Sequence, residues 1–130
     1  MGFLDRLDTK EDKNDHFRSN ALTSLSELDK AHELSLNQDV LIFKHSTRCG
    51  ISAMALEKLE HAWSLNDDEI KFFYLDLIAH RGVSNAIAEK YKVTHQSPQV
   101  LLIRAGNCIY NTSHHAINYE DILRQLDSAR

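Results

Sequence analysis

This sequence predicts an α/β fold, with a central mixed sheet of about four strands flanked by helices. Three observations predict it. Short apolar runs rich in β-branched or aromatic residues alternate with segments whose apolar residues recur every three or four positions. The last two apolar runs are separated only by Ala105-Gly106-Asn107, a turn signal. The chain is 130 residues long, which is roughly one domain.

The elements follow in order. Residues 1–18 are mostly polar and charged, with Phe3, Leu4 and Leu7 as scattered apolar residues, and read as a mobile tail before a domain spanning 19–130. A helix begins at Thr23 or Ser24, where Ser24-x-x-Glu27 forms a capping box and Leu22, Leu25 and Leu28 follow at helical spacing. Val40-Leu41-Ile42-Phe43 reads as a buried strand. After a polar loop, Ile51, Ala55, Leu59 and Ala62 mark a helix face, closed by Asn66-Asp67-Asp68. Ile70–Leu75 is a second strand, and Val83, Ile87 and Tyr91 share the face of the next helix. Ser97-Pro98 leads into the strand Gln99–Ile103, and Cys108-Ile109-Tyr110 returns as the second arm of a hairpin. Ile117, Ile122, Leu123 and Leu126 form a last amphipathic helix. Strands alternating with helices imply parallel units, and the hairpin adds an antiparallel edge. This is the element order of a thioredoxin-like fold.

Composition narrows the function. The chain is 42% hydrophobic and 26% charged, as in ordinary globular proteins. Its net charge of −4 gives no basis for nucleic-acid binding through phosphate neutralisation. Two cysteines cannot form a disulfide framework. No apolar run approaches the roughly 18 residues of a membrane span, and the N-terminal segment has no secretory pattern. Arg6 stands where a myristoylation motif wants Ser or Thr. The expected setting is cytoplasmic and reducing, where an exposed cysteine points to redox or catalytic chemistry.

The chemistry centres on Cys49. It falls at the start of a helix, where unpaired backbone N–H groups and the helix dipole favour negative charge. Lys44, His45 and Arg48 bring positive charge nearby. Both effects favour a thiolate, the nucleophilic form of cysteine. Cys49-Gly50-Ile51-Ser52 places a serine where a dithiol protein carries its second cysteine. Ser52 can donate a hydrogen bond to the thiolate but cannot form a disulfide. A mixed disulfide on Cys49 must then pass to an outside thiol.

Phe43-Lys44-His45-Ser46-Thr47-Arg48-Cys49-Gly50-Ile51-Ser52 resembles the signature of the monothiol bacilliredoxins, the YtxJ-like family of the bacillithiol system. Ser97-Pro98-Gln99 and Ser113-His114 are also similar to that family, and the resemblance covers roughly residues 20–127. Gly50 departs from the family pattern, which usually has proline after the cysteine. The resemblance implies a thioredoxin-like protein that removes bacillithiol, or a similar low-molecular-weight thiol, from protein mixed disulfides. It implies Cys49 as attacking thiol, Ser52 as non-resolving partner and Pro98 as a cis-proline facing Cys49. Bacillithiol would be a co-substrate, with no tightly bound cofactor. The expected partners are proteins carrying mixed disulfides and the small thiol itself, with no nucleic acid and no membrane, for a monomer or weak dimer.

A second reading belongs to another class. Cys-Gly-Ile-Ser is one residue away from the Cys-Gly-Phe-Ser motif of monothiol glutaredoxins, which resemblance implies a [2Fe–2S] carrier. The flanking Lys44–Thr47 and Ser97–Gln99 segments follow the bacilliredoxin pattern better. A third reading is a redox-inert interaction domain. The eight histidines form no His-x-x-x-His pair and no Cys-x-x-Cys accompanies them, so no zinc site is expected. His114 and His115 read as capping or packing residues before the last helix. Cys108 reads as an inert strand cysteine.

Overall fold

The structure is a computed structural model and describes residues 20–128, so the predicted tail 1–18 lies outside the described residues. In chain order the elements are α1 (Leu25–Ser35), β1 (Asp39–His45), α2 (Gly50–Ala62), β2 (Ile70–Asp76), α3 (Arg81–Tyr91), β3 (Gln99–Arg104), β4 (Asn107–Ser113), a 3-10 turn (His114–Ala116) and α4 (Tyr119–Ser128). The strands form one sheet in the order β2-β1-β3-β4. Residues 20–22 add a short parallel pairing outside β2, with Leu22 N–H donating to Tyr74 C=O at 2.8 Å.

β1 and β3 are buried almost end to end because helices cover both faces of the sheet. On one face Leu41, Phe43, Phe72 and Leu102 pack against Leu56 and Leu59 of α2 and Ile122 and Leu126 of α4. On the other, Val40, Ile42, Leu101 and Ile103 pack against Leu28 of α1 and Val83 and Ile87 of α3.

Strand direction departs from the expectation in one place. β1 and β2 are parallel across α2, but β3 runs antiparallel to β1, with Lys44 opposite Gln99. Apolar periodicity carries no information about direction. The connection 92–98 decides it. α3 is 11 residues long and rises about 16 Å. An extended stretch of about seven residues can retrace that distance and re-enter the sheet at the end where β1 finishes.

Two helix faces also shift. Leu25 is 58% exposed, and α1 buries Leu28, Ala31 and Ser35 instead. α2 buries Ser52, Ala55, Leu56 and Leu59, whereas Ile51 and Ala62 face outward. Ser24 caps α1 by accepting from the N–H of Glu27 at 3.2 Å, but the Glu27 carboxylate returns to Thr23, one residue before the expected partner. Ile117 precedes α4, and Asn118 opens it by accepting from the N–H of Asp121 at 2.8 Å.

The start of β1, the end of β3 and α4 are joined by one ion pair. Arg104 Nε and Nη2 each reach an oxygen of Asp39 at 2.7 Å, and Nη2 also donates to Leu126 C=O at 3.1 Å. A bidentate pair of this kind fixes orientation as well as distance. The β3–β4 hairpin turns through Ala105 (φ 52°) and Gly106 (φ 79°), the primed two-residue turn that suits the sheet's twist. A Cβ on Gly106 would lie 3.3 Å from both His32 Cε1 and Leu36 Cδ2. Gly106→Ala should therefore lower stability by about 1–2 kcal/mol, from the left-handed backbone and the tight contact together. Urea unfolding measures this, and an unchanged midpoint would show that the turn is not under this constraint.

Candidate active site

Alternation along β1 sends consecutive side chains to opposite faces. His45 points to the face covered by α2, and Lys44 points to the face covered by α3. That single-residue offset organises everything at this end of the sheet.

On the α2 side, Ser52 is fully buried in the first turn of the helix. Its Oγ lies 2.7 Å from His45 Nδ1 and accepts from the N–H of Ser46 at 3.0 Å. His45 is itself buried, with its ring 5.6 Å from that of Tyr74. Ser52 thus binds the end of β1 and the following loop to the helix. It makes no hydrogen bond to Cys49, the partner foreseen from spacing, because its buried hydroxyl is turned inward toward His45 and Ser46.

Cys49 is the N-cap residue of α2. Its backbone is extended (φ −114°, ψ 119°), and its side chain makes no capping bond. Its N–H donates to Ser46 C=O at 3.1 Å, and its carbonyl accepts from Ala53 N–H at 3.1 Å. The thiol is free and half-buried. The first N–H groups of α2 have no intrahelical acceptor, so the positive end of the helix lies at the sulfur. Arg48 and Gly50 flank it and are exposed. A Cβ on Gly50 would meet nothing within 4 Å, so the surface beside the sulfur is open.

Lys44 is not beside Cys49. It is fully buried on the α3 side, where Nζ donates to Ser84 C=O at 3.2 Å and lies 3.3 Å from His95 Nδ1. Burial pushes the ammonium down to about 8. His95 is pushed down as well, by burial first and then by Lys44 and Arg81. Neither His95 nor Ser84 stands in a sequence motif, and the contact to His95 spans 51 positions.

The Ser97–Pro98 peptide is cis. Pro98 immediately precedes Gln99, the register partner of Lys44, and so sits across from the end of β1 that leads to Cys49. Its carbonyl accepts from the N–H of His114 at 3.0 Å, which brings the 3-10 turn to the same end of the sheet. Cys108 is elsewhere. It pairs in register with Ile103, four residues along β3 from Gln99, or about 13 Å away. A disulfide needs Cα atoms within about 7 Å, so Cys49 and Cys108 cannot be joined. Burial raises the Cys108 thiol, and its S–H points at Tyr110 C=O.

A family model described as "Monothiol bacilliredoxin BrxC" matches residues 20–122. Among solved structures, a proposed oxidoreductase with a thioredoxin fold is 28% identical, with a TM-score of 0.71, covering 85% of this chain and 96% of that one. The thioredoxin of Fasciola hepatica superposes with a TM-score of 0.65 at 17% identity, over 85% of this chain and 99% of that one. Mitochondrial thioredoxin 3 of Saccharomyces cerevisiae gives 0.63 at 19% identity, over 84% and 93%. These last two likenesses show the fold.

Two outcomes follow from the buried pair of neighbours. Ser52→Ala removes both bonds of a buried hydroxyl and should cost about 1–3 kcal/mol of stability; a neutral result in urea unfolding would show that the Ser52 bonds do not hold the helix to β1. Lys44 gives a pH signature. Below pH 8 both folded and unfolded chains carry its charge, and the burial penalty is full. Between about 8 and 10.5 the folded chain loses the proton first, so the unfolded state binds more protons and stability rises with pH. Measured against Lys44→Met, the parent should gain up to roughly 3 kcal/mol across that window. A flat or falling difference would contradict the burial of a charged lysine.

Proposed function

Because the chain belongs to the monothiol bacilliredoxin family and has a thiol redox role, we propose that it removes bacillithiol, or a similar low-molecular-weight thiol, from protein mixed disulfides. The carrying observation is a free, half-buried cysteine at a helix N-terminus with a buried serine, engaged elsewhere, at the fourth position.

The Cys49 thiolate attacks the small-thiol sulfur of the mixed disulfide. The old S–S bond breaks, a new one forms between Cys49 and the small thiol, and the target protein leaves as a thiolate that takes a proton from water. A second small-thiol thiolate then attacks the adduct, releasing the small-molecule disulfide and regenerating Cys49. Each step exchanges one disulfide for another with no net electron donor besides the thiol. Cys49 caps the positive end of α2, whose unpaired N–H groups favour negative charge there as it builds in the leaving step. Ser52 cannot resolve the adduct, and Cys108 cannot reach it. The backbone before Pro98, which bends at Ser97, is the segment on which a substrate chain would pair.

Proteins carrying mixed disulfides and the small thiol are the proposed partners, in a reducing, cytoplasmic setting. Among the described residues no helix is long and apolar enough to cross a membrane. Incubation with the oxidised forms of bacillithiol, glutathione and coenzyme A, followed by intact mass and peptide mapping, tests the reading. One adduct at Cys49 is expected, with a preference for one thiol. Cys49→Ser should abolish exchange, and Cys108→Ser should leave it largely intact. A Cys49–Cys108 disulfide would overturn the monothiol mechanism. An anaerobically purified protein with thiolate-to-iron absorbance bands and no exchange activity would favour the iron–sulfur carrier instead.

A further inference from the structure

The connection 92–98 reaches Pro98 with little backbone support. Val93 N–H donates to Ala88 C=O at 3.1 Å, and beyond it residues 94–97 make no backbone–backbone hydrogen bond among the described residues. Two buried side chains of the sheet hold them instead. Lys44 and Gln99 are register partners on neighbouring strands, so they leave the sheet on the same face. Both reach the same pair of residues. Lys44 Nζ lies 3.3 Å from His95 Nδ1, and Gln99 Nε2 donates to Thr94 C=O at 3.0 Å. Ser84 of α3 completes the cluster: its C=O accepts from Lys44 Nζ, and its Oγ lies 3.3 Å from His95 Nδ1. Ser97 Oγ is buried without a partner among the described residues, so it adds no tie.

Of the two ties, the one to His95 depends on a proton. Below about pH 8 Lys44 is charged, and an ammonium has donors alone. Its contact with His95 is then a hydrogen bond only while Nδ1 is bare. A proton on Nδ1 replaces that bond with two cations at contact distance. The charged groups acting on the ring are Lys44 from β1 and Arg81 from the first turn of α3, both positive. No carboxylate of the described residues is among them. β3 presents the neutral Gln99, and α3 the Ser84 hydroxyl. Burial first, and then the two cations, hold the ring below the usual histidine range. The ring is half-buried between exposed Thr94 and Gln96, so water can deliver the proton. Lys44 is enclosed on all sides, which leaves His95 as the group that moves.

We propose that His95 is a positioning residue, and that a proton on its Nδ1 unlatches residues 94–97 from Lys44 and so loosens the segment before Pro98. The proposal rests on the exchange reading above and adds its regulation. Acid should weaken exchange with a substrate that pairs along that segment. A small disulfide, which needs only the sulfur of Cys49, should lose far less. Protonation of the Cys49 thiolate slows both substrates alike, so it cancels in the ratio of their rates.

The test follows the full chain between pH 7.5 and 5. One probe is a ten-residue peptide with a single cysteine, as its mixed disulfide with mercaptoethanol; the other is the disulfide of mercaptoethanol itself. The ratio of their kcat/KM values should fall by roughly three- to tenfold toward pH 5, less than the ~100-fold that an ångström of misplacement can cost, because Gln99 still holds Thr94. The fall should track the His95 ring titration seen by NMR, and the backbone heteronuclear NOE of residues 94–97 should drop with it. His95→Gln keeps an acceptor for Lys44 but gains no proton, so its ratio and NOE should stay flat. In Lys44→Met the His95 titration should move up in pH. A ratio that stays flat in the parent, an equal fall in His95→Gln, or an NOE that ignores the ring titration would overturn the latch. A parent that exchanges with neither disulfide at pH 7.5 would overturn the exchange reading instead, and the NOE of residues 94–97 would still decide whether His95 releases them.

Discussion

The Ser52 hydroxyl is the point on which the active end of this fold depends. It is a small group, but it is buried at the meeting of three segments: the last residue of β1, the loop that follows, and the first turn of α2. An unpaired hydroxyl in that position would be costly, so the chain must keep His45 and Ser46 against it. Once they are in place, the loop between β1 and α2 has little freedom, and Cys49 is held at the helix cap. The serine that replaces a resolving cysteine is thus a structural fastening, and the chemistry is left to one sulfur.

The sheet separates two tasks by face. Beneath α2 and α4 lie the aromatic core and the His45–Ser52 contact. Under α1 and α3 lies a second apolar cluster, into which Lys44 brings an ammonium at its upper edge. That ammonium touches a backbone carbonyl of α3 and the ring of His95, in the connection that leads to Pro98. Lys44 therefore spends its hydrogen bonds holding the connection 92–98 against the sheet. This is an expensive way to fix a loop, because burial strains the charged state. Lys44 and His45, adjacent on β1, thereby tie down the segments that carry Pro98 and Cys49 respectively.

The fold was legible in the sequence because its strands are near-continuous apolar runs, the pattern of a sheet covered on both sides. The hairpin was legible because Ala105-Gly106 leaves almost no other choice. Cys49 at a helix start was legible from the polar loop and the periodicity after it. Direction was not: β3 is antiparallel because of the length of the connection before it, and no residue pattern marks that. Nor was the facing of Lys44. A lysine beside a cysteine-bearing loop suggests proximity, but one step of strand alternation turned it to the other face. Ile51 and Leu25 misled in the same way, since apolar spacing of three or four fits two neighbouring stripes of a helix, and only the packing partner selects one. His95 and His114 were invisible because each depends on a contact between distant segments.

The separation of Cys49 from Cys108 has a kinetic consequence in the proposed exchange. A second cysteine in reach would act at an effective concentration of the order of millimolar or more, however little free thiol surrounded the protein. Here that internal route is closed by distance. Release of the adduct is bimolecular, and its lifetime lengthens in proportion as the surrounding pool of reduced thiol shrinks. Under the proposed exchange the fraction of molecules carrying an adduct would follow the state of that pool, so the sulfur proposed to act on other proteins would also record how depleted the reductant has become.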